Sequence, residues 1–144
     1  MDVKIQEGFP NIEVIIKCPK QTDEIHRIEA LLHGTDQKVS CKKDGVTHLI
    51  DKRDILYFEA VDRCCFLYTA ENVYETSLKL YEIEEMFEAA GLIRIAKSVI
   101  LNIAKIKSLC PDFGGRIEVT MENDYKLIVS RQYAKILKEK VGIK

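Results

Sequence analysis

Residues 91–109 read GLIRIAKSVILNIAKIKSL. Ile93 and Ile95 alternate with Arg94, the period of a half-buried strand. The alternation breaks at Ala96-Lys97-Ser98, a small, basic and hydroxylic tripeptide. An apolar run, Val99-Ile100-Leu101, follows and ends on Asn102; a second alternation begins with Ile103, Lys105 and Lys107 around Ile106. Strands on either side of a basic interruption predict a rigid sheet that presents a cationic loop. No Asp or Glu occurs between Gly91 and Pro111. A surface of one sign selects a partner of the other.

Downstream, residues 116–121 and 126–129 form a predicted strand pair joined through Glu122-Asn123-Asp124. A helix is expected after Ser130, with Tyr133, Ile136, Leu137 and Val141 facing inward and Gly142 at its C-prime position. Upstream, Ser77 is expected to cap a helix over 78–90 that Gly91 stops. Its buried stripe is Leu80, Ile83, Phe87 and Ala90; Glu82, Glu84, Glu85 and Glu88 make a solvated acidic face. Strands are predicted over 55–60, 65–69 and 73–76, with Val61-Asp62-Arg63-Cys64 as a loop and Asp51-Lys52-Arg53 as a polar turn. Asp44-Gly45 between residues 37–43 and 46–50 is a hairpin signal, since both residues tolerate positive φ. Residues 11–17, NIEVIIK, read as a strand ended by Pro19. Thr22 then caps a helix with Asp23 and Glu24 in its first turn, an apolar repeat at Ile25, Ile28, Leu31 and Leu32, and Gly34 at its end. The sum is about eight strands and three helices, an α+β chain.

At 144 residues the chain is long enough for one domain with a sizeable core. Hydrophobic content of 47% and charged content of 31% describe a soluble globular protein. No apolar run approaches a membrane span, and the polar N-terminus is not a signal peptide, so a cytoplasmic location is expected. The five cysteines are odd in number and lack metal-ligand spacing, as do His26, His33 and His48; free thiols and no metal are expected. There is no glycine-rich phosphate loop and no serine elbow, so neither an enzyme nor a cofactor is expected. Net charge is −1, but its distribution is uneven. From residue 91 onward there are eleven Lys or Arg against five Asp or Glu, whereas residues 71–90 hold one against six. The local excess, not the global sum, selects an acidic partner.

Three separated motifs, in consistent order, resemble the LytTR DNA-binding domain of bacterial transcription regulators. They are Asp54-Ile55-Leu56-Tyr57-Phe58-Glu59-Ala60, then Arg94-Ile95-Ala96-Lys97-Ser98 with Asn102, then Ile128-Val129-Ser130-Arg131-Gln132-Tyr133. The resemblance runs from about residue 38 to the C-terminus. It divides the chain into an N-terminal strand-helix extension, residues 1–36, and an elongated β-rich domain with short flanking helices, residues 37–144. The extension is too short for a receiver domain, so no phosphoacceptor aspartate is expected. It either covers a sheet edge or mediates association. Many members of the family have His where this chain has Ala96, so a contact from that position does not carry over.

The resemblance implies sequence-specific binding of double-stranded DNA by loops at the sheet edges rather than by a recognition helix. It also implies repeated sites bound by two copies, a homodimer on DNA. Stand-alone members often work with a small membrane protein, and such a partner is compatible with this chain. Arg131, just after a helix cap, is the principal candidate, because its planar fork pairs bidentately with guanine and the helix start offers N–H groups to a phosphate. Lys97 suits a phosphate or a base edge, and Ser98 a phosphate oxygen. Asn102 either touches DNA or ties a turn through its own side chain. Arg63 is expected on the DNA backbone. The family places a base-reading residue of variable identity near Cys65. Gln132 and Lys135 complete the set, with Lys138 extending the footprint. Two other readings stand beside this one: a module whose basic edge binds an acidic protein, and a thiol sensor using Cys64 and Cys65.

Overall fold

The apolar run Val99-Ile100-Leu101 is continuous because its strand is buried on both faces. In the computed structural model, which describes residues 1–33, 38–87 and 90–142 (backbone alone at Ala30, Leu31 and His33), Ile100 packs into one core and Leu101 into another. The same alternation sends Phe58 and Leu92 into the first core, and Tyr57 and Ile93 into the second. Successive residues of a strand point to opposite faces, so a strand covered on both sides reads as an unbroken apolar run.

A seven-stranded antiparallel sheet lies between these cores. Its strands are β1 (Lys38–Lys43), β2 (Val46–Asp51), β3 (Tyr57–Val61), β4 (Cys64–Tyr68), β5 (Val73–Thr76), β6 (Leu92–Ala96) and β7 (Val99–Asn102), in the order β2-β1-β5-β4-β3-β7-β6. A three-stranded sheet follows, β10-β9-β8, from β8 (Ile106–Pro111), β9 (Ile117–Met121) and β10 (Lys126–Val129). Helix α2 (Leu80–Phe87) contributes Leu80, Ile83 and Phe87 to the first core. The small sheet and helix α3 (Arg131–Lys140) close the second through Val119, Met121, Leu127, Ala134 and Leu137.

Ten strands form among the described residues, where about eight are expected from sequence. The Asp44-Gly45 hairpin is present, with φ of 52° and 77°. The predicted loop at 61–64 contracts to a two-residue turn, Asp62-Arg63, with φ of 48° and 71°. Paired positive φ is the geometry whose twist matches that of a hairpin. Helix α2 starts later than expected. Thr76 Oγ1, not Ser77, accepts from Leu78 N–H, and Glu82 reaches back to Lys79 N–H at 3.0 Å. In α3, Ile136 is 45% exposed rather than inward; Ala134 takes the buried place beside Leu137. Gly142, at φ 79°, ends α3 with its N–H on the Glu139 carbonyl.

The N-terminal unit, residues 1–32, is a separate body. Its helix α1 (Asp23–His33) has Asp23 and Glu24 in the first turn and half-buried Ile25 and Ile28. The strand expected over 11–17 does not form, and Ile12, Val14 and Ile15 are exposed. An extended segment becomes a strand only when a neighbour takes its N–H and C=O groups. Among the described residues none pairs with it. Gly34, Gln37 and Glu88 lie outside the described residues.

Candidate nucleic-acid interface

Strands β3 and β7 are antiparallel neighbours, with Glu59 opposite Val99. The turn after β3 therefore lies beside the turn before β7. Ala60 N–H closes the junction by donating to the Ser98 carbonyl at 2.8 Å. A second backbone hydrogen bond, from Ser130 N–H to the Ile95 carbonyl at 2.9 Å, sets the start of α3 against the end of β6. Three elements far apart in sequence thus meet at one end of the large sheet. They are the Asp62-Arg63 turn, the Ala96-Lys97-Ser98 turn and the Ser130-Arg131 helix start.

Arg63, Lys97, Arg131, Gln132 and Lys135 are exposed, and Ser98 is half-buried. Among the described residues no carboxylate pairs with Arg63, Lys97, Arg131 or Lys135. By contrast Lys105 pairs with Glu122, Lys107 with Asp124, Arg116 with Asp112 and Lys126 with Glu118. The exposed cations of the three-element end are thus among those left for an outside anion. Ser130 is at the N-cap of α3, yet its hydroxyl makes no capping bond; Tyr133 N–H turns to the Ser130 carbonyl, which leaves the Arg131 and Gln132 N–H groups for an outside acceptor. The stem of Arg131 lies over the β8–β9 loop, its Cγ 3.4 Å from the place a Cβ on Gly115 would take. Phe113, 85% exposed, belongs to the same loop.

Two of the candidate residues, Asn102 and Cys65, are placed elsewhere, and for Asn102 the turn-tying alternative is what forms. Asn102 is 4% exposed at the far end of β7. Its Nδ2 donates to the carbonyls of Ile55 at 2.9 Å and Lys52 at 3.4 Å, and its Oδ1 accepts from Ala104 N–H at 3.1 Å. It caps the 3-10 turn Ile103–Lys105 and ties it to the turn Lys52–Asp54, a wholly internal duty. Cys65 is 6% exposed and faces the first core, because it alternates with Cys64 along β4.

Cys64 points to the other face. The Glu75 carboxylate beside it raises its thiol above the usual range, first by hydrogen bonding and then by charge. Burial pushes Cys65 up to about 11. Both shifts disfavour the thiolate, the nucleophilic form, and so weigh against the thiol-sensor alternative. Among the described residues no three His, Cys, Asp or Glu side chains cluster as metal ligands.

Sequence reasoning missed two residues at this end. Lys79 lines a shallow cleft with Arg63, Cys64 and Glu75, because Thr76, at the end of β5, pairs with Cys65. It is the single cation of the acidic 71–90 stretch, and that isolation was the available signal. Arg94 was read as the polar member of an alternation. Its guanidinium instead holds the carbonyls of Ala96 and Lys97 and pairs with Glu84 at 3.2 Å. The acidic face of α2 is therefore not wholly solvated: Glu82 caps the helix and Glu84 is tied inward.

The family model described as the LytTr DNA-binding domain matches residues 45–142. The chain belongs to the LytTR family of DNA-binding transcriptional regulators. It is 27% identical over 130 residues to an uncharacterized HTH-type transcriptional regulator of Staphylococcus aureus (strain NCTC 8325 / PS 47), covering 89% of this chain and 88% of that one. A match that broad extends beyond residues 45–142 into the N-terminal unit. The chain is 32% identical over 96 residues to the sensory transduction protein LytT of Enterococcus faecalis (strain ATCC 700802 / V583), covering 67% of this chain and 40% of that longer protein. A solved LytTr DNA-binding domain of a response regulator from Bacillus cereus superposes with a TM-score of 0.71 at 24% identity, over 75% of this chain and 99% of that one, and shows the fold. No helix among the described residues is long and apolar enough to cross a membrane.

Proposed function

We propose that this regulator reads specific double-stranded DNA with the three-element end of its large sheet. The observation that carries the reading is the convergence of unpaired cations there, while Arg53, Lys105, Lys107, Arg116 and Lys126 elsewhere in the domain have carboxylate partners. Arg131 reads a base edge, most naturally guanine O6 and N7, through its bidentate fork. Lys97, Ser98 and Arg63 hold phosphates, and Gln132, Lys135 and Lys79 extend the footprint. Asn102 and Cys65 have no part in the contact.

Two copies act together on repeated sites in the cytoplasm. The N-terminal unit supplies the association surface through exposed Ile12, Val14 and Ile15. The breadth of the match to the staphylococcal regulator supports a shared role for this unit. A membrane-protein partner fits the same surface as the source of the regulatory signal.

Binding titrations at several salt concentrations test the reading. Log K should fall linearly with log salt, and a selected duplex should bind roughly a thousandfold tighter than a random one. Equal affinity for both duplexes would remove sequence-specific recognition. Sedimentation of the Ile12→Glu/Val14→Glu chain should show a monomer where the parent chain shows a dimer on a two-site duplex.

A further inference from the structure

Three carbonyl groups crowd the Ala96-Lys97-Ser98 turn, and all three are taken up from inside the protein. Ser98 C=O accepts from Ala60 N–H at 2.8 Å. Ala96 C=O accepts from Arg94 Nε at 2.8 Å, and Lys97 C=O accepts from Arg94 Nη2. The remaining terminal nitrogen of Arg94, Nη1, donates to Glu84 Oε2 at 3.2 Å. The Arg94 side chain is 18% exposed, so its charge is spent largely on these partners. A β-bulge between Arg94 and Ala96 brings the guanidinium back over the turn that follows it.

Carbonyl oxygens are the negative ends of the peptide dipoles. Left outward, they would oppose a phosphate approaching Lys97. Drawn onto Arg94 and Ala60, they leave the turn to present the Lys97 ammonium and the Ser98 side chain. Only a guanidinium has donors in the fixed, planar arrangement that spans two carbonyls and a carboxylate at once; an ammonium is a single point charge.

We infer that Arg94, oriented by Glu84 of α2, is a positioning residue that sets the shape and the electrostatic face of the Lys97-Ser98 turn without touching DNA itself. The inference rests on the proposed DNA reading for its consequence, but its structural half is measurable without DNA. Arg94→Lys and Glu84→Gln are compared with the parent chain by backbone NMR relaxation and amide exchange. Both should loosen residues 96–99 and leave the small sheet unchanged, with a larger effect for Arg94→Lys. On DNA Arg94→Lys should weaken binding about tenfold and Glu84→Gln about threefold, on selected and random duplexes alike, because the turn that Arg94 shapes holds phosphates. In a Lys97→Ala background, Arg94→Lys should cost less than about twofold, because the group it positions is gone.

Unchanged turn amides in Arg94→Lys would overturn the positioning role. So would a tenfold loss that persists in the Lys97→Ala background, which would make Arg94 a direct contact. If the parent chain does not discriminate between duplexes, the DNA reading fails, and the NMR arm then decides by itself whether Arg94 shapes the turn.

Discussion

Strand β7 has two ends of opposite character. At its start, Ser98 and Lys97 belong to a turn whose cation has no internal partner among the described residues. At its finish, Asn102 is buried with both faces of its amide engaged. The strand rises about 3.3 Å per residue, so the two ends are about 13 Å apart. Cations and amides are both frequent at nucleic-acid interfaces, and residue type alone does not separate these two. What separates them is whether the protein itself has already satisfied the group. A satisfied group is part of the scaffold, and an unsatisfied one at the surface is available to a ligand.

That contrast breaks most visibly at Asn102. Asn102→Ala would strand the Ala104 N–H and two carbonyls, and it should destabilise the fold by about 2–4 kcal/mol. A denaturant titration measures the loss, and specific affinity per folded molecule should stay that of the parent. Arg131→Ala should do the reverse. It should cost about 1–3 kcal/mol of specific binding at one base position and change stability by under about 0.5 kcal/mol. Arg131→Lys should rescue poorly, since the charge returns without the fork. Full rescue would place Arg131 on a phosphate.

Lys97→Ala should weaken binding to every sequence and lower the salt slope by about one, read from titrations on matched and random duplexes. A finer probe compares two glycines of the β8–β9 loop. Gly114 and Gly115 have similar φ, 74° and 81°, so Asn at either pays a similar backbone cost. Only at Gly115 would the new side chain meet Arg131; at Gly114 no heavy atom lies within 4 Å of the added Cβ. Gly115→Asn should therefore lower discrimination several-fold more than Gly114→Asn on single-mismatch duplexes. Equal effects would show that Arg131 is not held by this loop. The smallest effect concerns the scaffold end. The Asp51 carboxylate accepts from the Arg53 side chain and backbone, which holds its pKa at about 2, below the ordinary value near 4. A depressed carboxylate pKa gives stability that is present above the ordinary value and lost as pH falls through about 2. NMR of the Arg53 amide from pH 5 to pH 2 should show the Lys52–Asp54 turn loosening on the acid side, with residues 96–98 unaffected.

The β-rich architecture was legible because strand alternation and turn chemistry are local. Asp44-Gly45 declared its hairpin, and the Val99-Ile100-Leu101 run declared a strand, whose cover on both faces the structure adds. The carboxylate-free stretch after Gly91 singled out the Lys97-Ser98 turn as a candidate; that the Asp62-Arg63 turn and the start of α3 lie beside it comes from the fold. For Asn102 the local turn was one of two alternatives and is what forms, but its long-range half was not legible, because its acceptors belong to Lys52 and Ile55, which the sheet brings near from far upstream. Arg94 failed for a related reason. Alternation predicts which way a side chain leaves the strand, not that a long one folds back onto the next turn. Lys79 was hidden by averaging charge over a window that the fold divides between a helix and a sheet end. The segment 11–17 has strand composition, but composition supplies no neighbour.

The order β2-β1-β5-β4-β3-β7-β6 also has a kinetic meaning. Strand β3 meets β7 across the whole of β4, β5 and α2, and the start of α3 reaches β6 only after the small sheet has been laid down. Such non-local pairings form late, because a long loop must close before they gain anything. A chain emerging from synthesis has Arg63 well before Lys97, and Lys97 well before Arg131. None of the three has its neighbours until the last pairings lock. The capacity to recognise DNA should therefore appear in one step with global folding, and partly folded chains should hold the same charges without the same reach.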